Sequence, residues 1–331
     1  MLERSDVRAD ALPLDLLQQT QPVLLRGLVR HWPLVQAALH SNQQFCEYLR
    51  GFGGNAQVGL WRGPPDIEGR FFYNADFSGF NFQRQIGRFG TLLDELLAGA
   101  NHPEPEALYL GSTEVDGTLP GLRRSNDLYF GQGQQALVSL WLGNRARVAA
   151  HFDLPDNIAC VVAGRRRFTL FPPEQVANLY VGPLDLTPAG QSISLVDLAK
   201  PDFERFPRFA QALEQAQTVE LLPGDALFFP SQWWHAVESL EPVNALVNFW
   251  RRQSPPFMDS PMNTLMLALM TVRDLPPAQR KAWRALFDHY VFDADDNTAA
   301  HVPPQARGAL APITEDRARH MRAILLNRLN R

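Results

Sequence analysis

Between residues 107 and 253 the chain carries one short strand signal after another, with tight turns between them and no helical run long enough to interrupt. Ala107–Leu110, Ala136–Leu142, Ile158–Val162 and Arg167–Phe171 are such segments, and Thr218–Leu222, Ala226–Phe229 and Ala245–Trp250 continue the series. Gly143-Asn144 turns the second, Gly164 joins the third to the fourth, and Pro172-Pro173 stops the fourth. Pro223-Gly-Asp225 is the kind of turn that joins antiparallel strands, because proline fixes φ and glycine takes up backbone conformations closed to other residues. Parallel sheets need a helical crossover between strands, and none is read here. The pattern therefore predicts an antiparallel sandwich or barrel, a jelly roll. No internal repeat or low-complexity segment breaks it.

The flanks differ from this core. Residues 1–106 read as a lobe that packs on the barrel and contributes to it. In it, Pro22-Val-Leu-Leu25 is a strand turned by Gly27. A helix begins at Pro33, with Leu34, Val35, Ala38 and Leu39 on one side. Val58 and Leu60 mark a short strand, and Thr91–Leu97 an amphipathic helix. The aromatics of residues 70–82 are expected to fill the core rather than wall a substrate groove, and His31, beside Trp32 and Pro33, is expected to be structural. Residues 258–331 turn helical: Asn263–Val272, then a helix from Pro276-Pro277 carrying Trp283, Leu286, Phe287, Tyr290 and Val291, then one capped by Thr314. The prediction is a mainly β protein with flanking helices (α+β), divided at 1–106, 107–257 and 258–331. Apolar helices after a complete barrel must be covered, by that barrel or by a second copy.

The chemistry centres on His151-Phe-Asp153 and a distant His235. Side chains at i and i+2 of a strand point the same way, so one β-edge presents an imidazole and a carboxylate together. With a second imidazole they make the facial triad of non-haem Fe(II) oxygenases, in which three protein ligands leave the opposite face of the ion open. Alone the motif is weak, since eight histidines give some His-x-Asp by chance about one time in three at ordinary Asp usage. A net charge of −4 provides no general field for nucleic acid. All basic residues but Lys200 and Lys281 are arginine, a habit of the whole chain rather than of one site. Cys46 and Cys160 form no disulfide framework or zinc pattern, and Cys160 sits in an apolar run. The first residues lack the apolar stretch of a signal peptide, and no apolar run approaches the ~20 residues that span a bilayer. A reduced, cytoplasmic protein with no membrane partner is expected.

An ordered set of motifs surrounds the triad: Asn157, Gly164-Arg-Arg-Arg-Phe-Thr-Leu-Phe-Pro-Pro173, Leu179-Tyr180, Pro201–Pro207, Pro223-Gly-Asp225, Trp233-Trp-His235 and Val247-Asn-Phe-Trp250. In this order the chain resembles the JmjC-type cupin-like (cupin 8) hydroxylases, from roughly Pro22 to about residue 292. Among them it is similar to the asparaginyl hydroxylase that inhibits hypoxia-inducible factor and to the wybutosine tRNA hydroxylase. The resemblance implies a double-stranded β-helix with Fe(II) on His151, Asp153 and His235. It also implies 2-oxoglutarate and O2 as cosubstrates, and hydroxylation of a protein or peptide side chain with release of succinate and CO2.

The resemblance further puts Tyr109 and Arg166 on the far carboxylate of 2-oxoglutarate, Arg166 standing where the family has lysine and Val148 where a threonine helps. Strand alternation turns Arg165 and Arg167 away from Arg166. Asn157 and Asn248 match amides of the cosubstrate site. For the substrate, Gly111 replaces a glutamine, Gln191 matches a second one, and Trp234 is taken as the pocket-facing member of the Trp233-Trp234 pair. The similar tail in the family implies a homodimer through the C-terminal helices. Two other readings remain at this level. One is a tRNA- or RNA-modifying hydroxylase, its basic stripe drawn from Arg123, Arg124, Arg145, Arg147 and Arg165–Arg167. The other is a non-enzymatic metal-binding cupin module, which the intact triad disfavours.

Overall fold

The structure is a computed structural model that describes residues 1–132 and 135–330. The chain forms two compact units, Met1–Gln253 and Ser254–Arg331. In the first, the strands run β1 (Leu2–Arg4), β2 (Val23–Leu25), β3 (Gln57–Gly63), β4 (Gln83–Arg88), β5 (Ala107–Glu114) and β6 (Leu137–Gly143). They continue as β7 (Arg147–His151), β8 (Asp156–Ala163), β9 (Arg166–Phe171), β10 (Gln217–Leu221), β11 (Ala226–Phe229), β12 (Trp234–Ser239) and β13 (Asn244–Arg251). They build a large sheet in the order β1-β2-β11-β8-β13-β6-β5-β3-β4 and a small one in the order β10-β9-β12-β7. Every pairing is antiparallel except that of β1 with β2. This is the jelly roll expected from the turns. Strands of the N-terminal segment are not a separate layer: they lengthen the large sheet at both edges.

The core explains why β8 reads as an unbroken apolar run. Its side chains alternate faces, yet all eight positions are buried, because both faces are covered. Ile158, Cys160 and Val162 pack with Leu34, Val35 and Phe45 of the helical layer. Ala159 and Val161 pack with Phe168, Leu170 and Phe229 between the two sheets. Part of that helical layer was illegible in sequence. The helix Asn42–Gly53 ends in Gly51 and Gly53, weak helix formers. It forms nonetheless, because Ser41 accepts a hydrogen bond from the Gln44 N–H at 3.1 Å and Phe45, Cys46 and Leu49 are buried along one side.

One glycine positions the site. Gly164 takes φ +68° where the chain leaves β8 for β9, and a Cβ there would strike Val243 and Asn244. The next strand then begins with Arg166 opposite Ser239, buried, and Arg167 opposite Glu238, outward.

The second unit holds helices Pro261–Thr271, Pro277–Phe287 and Glu315–Leu329. Thr314 caps the last by accepting from the Arg317 N–H. Met270, Trp283, Leu286, Tyr290, Val291 and Phe292 stay exposed. No helix among the described residues is long and apolar enough to cross a membrane.

Candidate active site

His151 closes β7 and lies directly opposite His235 on β12. The strand stops there, so Asp153 sits in the loop beyond rather than on a continuous edge. Its carbonyl accepts from the Gln232 N–H at 2.9 Å, which ties that loop to the approach of β12. A donor atom from each of the three residues lies within 4.8 Å of the others, and His235 Nε2 is 3.7 Å from Asp153 Oδ2.

Both imidazoles are oriented from behind. His151 Nδ1 is 3.0 Å from the Ala149 carbonyl, and His235 Nδ1 is 3.0 Å from the Trp233 carbonyl. A carbonyl only accepts, so each Nδ1 carries the proton and each Nε2 keeps a lone pair for a metal. Burial, with His151 adding to it, pushes the His235 pKa down to about 4 against the pull of Asp153. At neutral pH His235 is therefore the neutral ligand that a metal requires. The donor set, two nitrogens and a carboxylate oxygen, fits Fe(II).

A chain of amides holds the carboxylate. Trp141 Nε1 donates to Asn248 Oδ1 at 2.8 Å, Asn248 Nδ2 to Asn157 Oδ1 at 3.4 Å, and Asn157 Nδ2 to Asp153 Oδ2 at 3.0 Å. Trp250 Nε1 donates to the same oxygen at 3.0 Å. Trp250→Phe keeps the ring and deletes that N–H. It is expected to weaken Mn(II) or Fe(II) binding by about 10-fold or more, the usual scale for an outer-shell partner, with little loss of thermal stability. Titration followed by Mn(II) electron paramagnetic resonance measures it, and unchanged affinity would remove Trp250 from this role.

The triad opens into a cavity of about 590 Å³. Arg166 lines its depth, 2% exposed. Its guanidinium lies beside the Tyr109 side chain and donates to the Trp141 carbonyl at 3.4 Å, while Nε has no partner. No carboxylate pairs with it among the described residues. Burial lowers its pKa, with Tyr109 opposing, and burial pushes the Tyr109 phenol up to about 12. Arginine stays charged even so. A buried, uncompensated cation is costly unless something anionic shares the cavity.

Most residues singled out in the sequence converge here. Tyr109, Arg166, Asn157, Asn248 and Gln191 all line the cavity, as do Gly111 and Val148. Arg167 does not: it faces outward between Glu220 and Glu238. Trp234 is a correction. It is 3% exposed and packs against Phe152, Phe171 and Leu179 on the outer side of the small sheet, away from the cavity. His235 faces inward, so its strand neighbour must face out. Trp233 also packs in the core, its Nε1 donating to the Thr20 carbonyl. The residues 70–82 do more than fill space, since Phe71 lines the cavity beside Trp61. Trp141 and Trp250 were missed. Trp250 lies two places after Asn248 on one strand and so shares its face, a signal that alternation alone provides.

A metal-binding double-stranded β-helix is the class this fold and site define. The chain belongs to the cupin-like domain family, whose sequence model matches residues 9–256. It is 35% identical over 129 residues to lysine-specific demethylase JMJ31 of Arabidopsis thaliana, covering 37% of this chain and 23% of that protein. It is 35% identical over 158 residues to human HSPB1-associated protein 1, covering 46% and 31%. To lysine-specific demethylase 8 of Danio rerio it is 26% identical over 243 residues, 71% of this chain and 54% of that protein. The chain thus spans about half or less of the length of these relatives. The JmjC-type cupin site is one that takes Fe(II), 2-oxoglutarate and O2, and the residues here fit that set.

Proposed function

We propose that this protein is an Fe(II)- and 2-oxoglutarate-dependent oxygenase that hydroxylates a side chain of a protein or peptide. The observation that carries the reading is the joint occupancy of one cavity by a three-ligand metal triad and a buried arginine without a carboxylate. A five-carbon diacid fits that pair, one end toward the triad and its far carboxylate on Arg166 and Tyr109. Bound Fe(II), with 2-oxoglutarate and O2, supplies the oxidising power to put oxygen into a C–H bond, with release of succinate and CO2. The chain's own work is positional. The Ala149 and Trp233 carbonyls fix both imidazoles, Asn157 and Trp250 fix the carboxylate, and Tyr109 and Arg166 hold an anion. The aromatic wall of Trp61 and Phe71 limits water.

The test is iron-dependent conversion of 2-oxoglutarate to succinate by the purified full chain, followed with and without a chelator. A visible charge-transfer absorption on anaerobic mixing of Fe(II) and 2-oxoglutarate reports chelation independently of turnover. Absence of both overturns the reading in favour of a metal-binding module. The tRNA alternative loses support from the pairing of four of its arginines, although Arg124 and Arg145 have no carboxylate partner among the described residues. Arg123 pairs with Asp116 and Asp127, Arg147 with Glu68 and Asp197, Arg165 with Glu220 and Glu241, and Arg167 with Glu220 and Glu238. Such a surface is mixed in sign and repels phosphate as much as it attracts it.

The apolar side chains of the second unit support a homodimer through residues 258–331. Trp283, Leu286, Tyr290 and Val291 are each about half exposed along one helix and its extension. Burying the same patch of a second copy is the commonest way to cover such a surface. Light scattering at micromolar concentration is expected to give twice the monomer mass, and Trp283→Asp with Val291→Asp the monomer mass. A wild-type monomer refutes the dimer.

A further inference from the structure

Outside the cavity mouth, strand register sets out a row of side chains that the site's chemistry does not use. In the β3–β4 pair, Trp61 lies opposite Arg84, Gly59 opposite Ile86, and Gln57 opposite Arg88. Opposed residues of an antiparallel pair share a face, so Arg84, Ile86 and Arg88 stand on the face where Trp61 lines the cavity. The other face of β3 is spent on the core through Val58 and Leu60. The first face is open: Ile86 is 81% exposed, and a Cβ on Gly59 would meet nothing within 4 Å. β4 is also the edge of the large sheet.

The charges of this row have no carboxylate partner among the described residues. Arg84 lies over the Phe80 ring at 5.1 Å and donates to the Pro188 carbonyl at 2.6 Å, which leaves its positive charge without a carboxylate. Arg88, also exposed, has none among the described residues. Neighbouring arginines contrast with them, since Arg62 is held by Glu95 and Glu106, and Arg147 by Glu68 and Asp197. Among the described residues of the cavity wall the only acid is Asp153, which already accepts two N–H groups.

We propose that the β4 face is a docking strip for an acidic segment of the protein substrate, and that the side chain delivered into the cavity is neutral or anionic rather than an ammonium. The inference rests on the oxygenase reading above and gives it a substrate class. An extended peptide turns alternate side chains to one side, about 6.6 Å apart, as does the strip. The matching pattern is acid–x–apolar–x–acid, with the apolar residue on Ile86 and the acids on Arg84 and Arg88. A lysine or methylated lysine would pass Arg84 at the mouth and find no free carboxylate inside to replace its hydration. RNA is the less favoured anion, because Ile86 offers no aromatic platform for bases and the neighbouring Arg62 and Arg147 are paired with carboxylates.

The experiment uses the full chain loaded with Mn(II) and 2-oxoglutarate, and fluorescein-labelled 15-residue peptides centred on Glu-Ser-Val-Ser-Glu, Gln-Ser-Val-Ser-Gln or Lys-Ser-Val-Ser-Lys. By anisotropy at low salt the Glu peptide is expected to bind about ten-fold tighter than the Gln peptide, the scale of two exposed ion pairs, and the Lys peptide more weakly still. Arg84→Glu with Arg88→Glu should reverse that order, and Ile86→Asp should weaken the Glu peptide without favouring the Lys peptide over the Gln one. Equal binding of the three peptides overturns the inference. So does a labelled 15-nucleotide RNA that outbinds the Glu peptide and loses its affinity in the double variant. Iron-dependent consumption of 2-oxoglutarate by the wild type, measured alongside, separates the two failures. Its absence sinks the oxygenase reading, whereas its presence with indifferent peptide binding sinks only the docking strip.

Discussion

Asp153→Ala is expected to fold, to hold no Fe(II) at micromolar concentration, and to consume no detectable 2-oxoglutarate. The carboxylate is the only anionic donor of the triad, and without it two neutral imidazoles face the metal. Two nitrogen ligands on a protein edge have neither the charge nor the chelate geometry to hold a first-row divalent ion against water. The loss to folding is smaller. Asn157 Nδ2 and Trp250 Nε1 would lose their shared acceptor, at about 1–3 kcal/mol for each donor left buried and dry. Removal of a partly buried carboxylate offsets part of that. Water can also reach the vacated position from the cavity. His235→Ala should act alike on the metal while leaving the Asp153 network intact. Metal content by mass spectrometry and succinate formation check both variants, and wild-type turnover in the two would refute the triad.

The triad was legible because its residue types and their two-residue spacing are local, and because ordered motifs surround it. What completes the site is less visible, because it depends on partners far apart in the chain. Trp141 and Trp250 act through indole N–H groups, and nothing in the sequence near Trp141 says that Asn248 will accept from it. That bond follows only from the pairing of β6 with β13, which sets Asn248 opposite Ser139. Core strands bounded by proline or glycine, such as β8, β9 and β11, were read nearly to their ends. β7 was harder, because Arg147-Val-Ala-Ala-His151 has small apolar residues and no clear alternation. Gly51, Gly53 and Gly54 concealed the helix Asn42–Gly53, where tertiary burial outweighs the intrinsic cost of glycine. Trp234 went wrong for a different reason: alternation counted from His235 itself excludes it from the cavity.

Arg166 stands where the resemblance implies a lysine, and its variants should separate anion binding from stability. The guanidinium is buried beside Tyr109 with one carbonyl for a hydrogen-bond partner among the described residues, and its Nε has no acceptor. A diacid carboxylate would take parallel hydrogen bonds from such a fork, which a lysine ammonium cannot provide. Val148, also on the cavity wall, has no donor to contribute, so more of the hold falls on Arg166 and Tyr109. Arg166→Ala is therefore expected to weaken 2-oxoglutarate by about 1.5–3 kcal/mol, the range for a hydrogen bond to a charged group. Arg166→Met keeps most of the buried stem and removes the charge. It should weaken 2-oxoglutarate similarly while leaving the metal-free protein at least as stable as wild type, since an uncompensated buried cation is a cost in the absence of its anion. Arg167→Ala, whose side chain lies outside between Glu220 and Glu238, should leave the 2-oxoglutarate requirement unchanged. Titration calorimetry of 2-oxoglutarate into the Mn(II)-loaded protein, with thermal midpoints of the metal-free forms, distinguishes the cases. If Arg166→Met lost stability but not affinity, the arginine would be a structural cation, and the far carboxylate would have to bind elsewhere in the cavity.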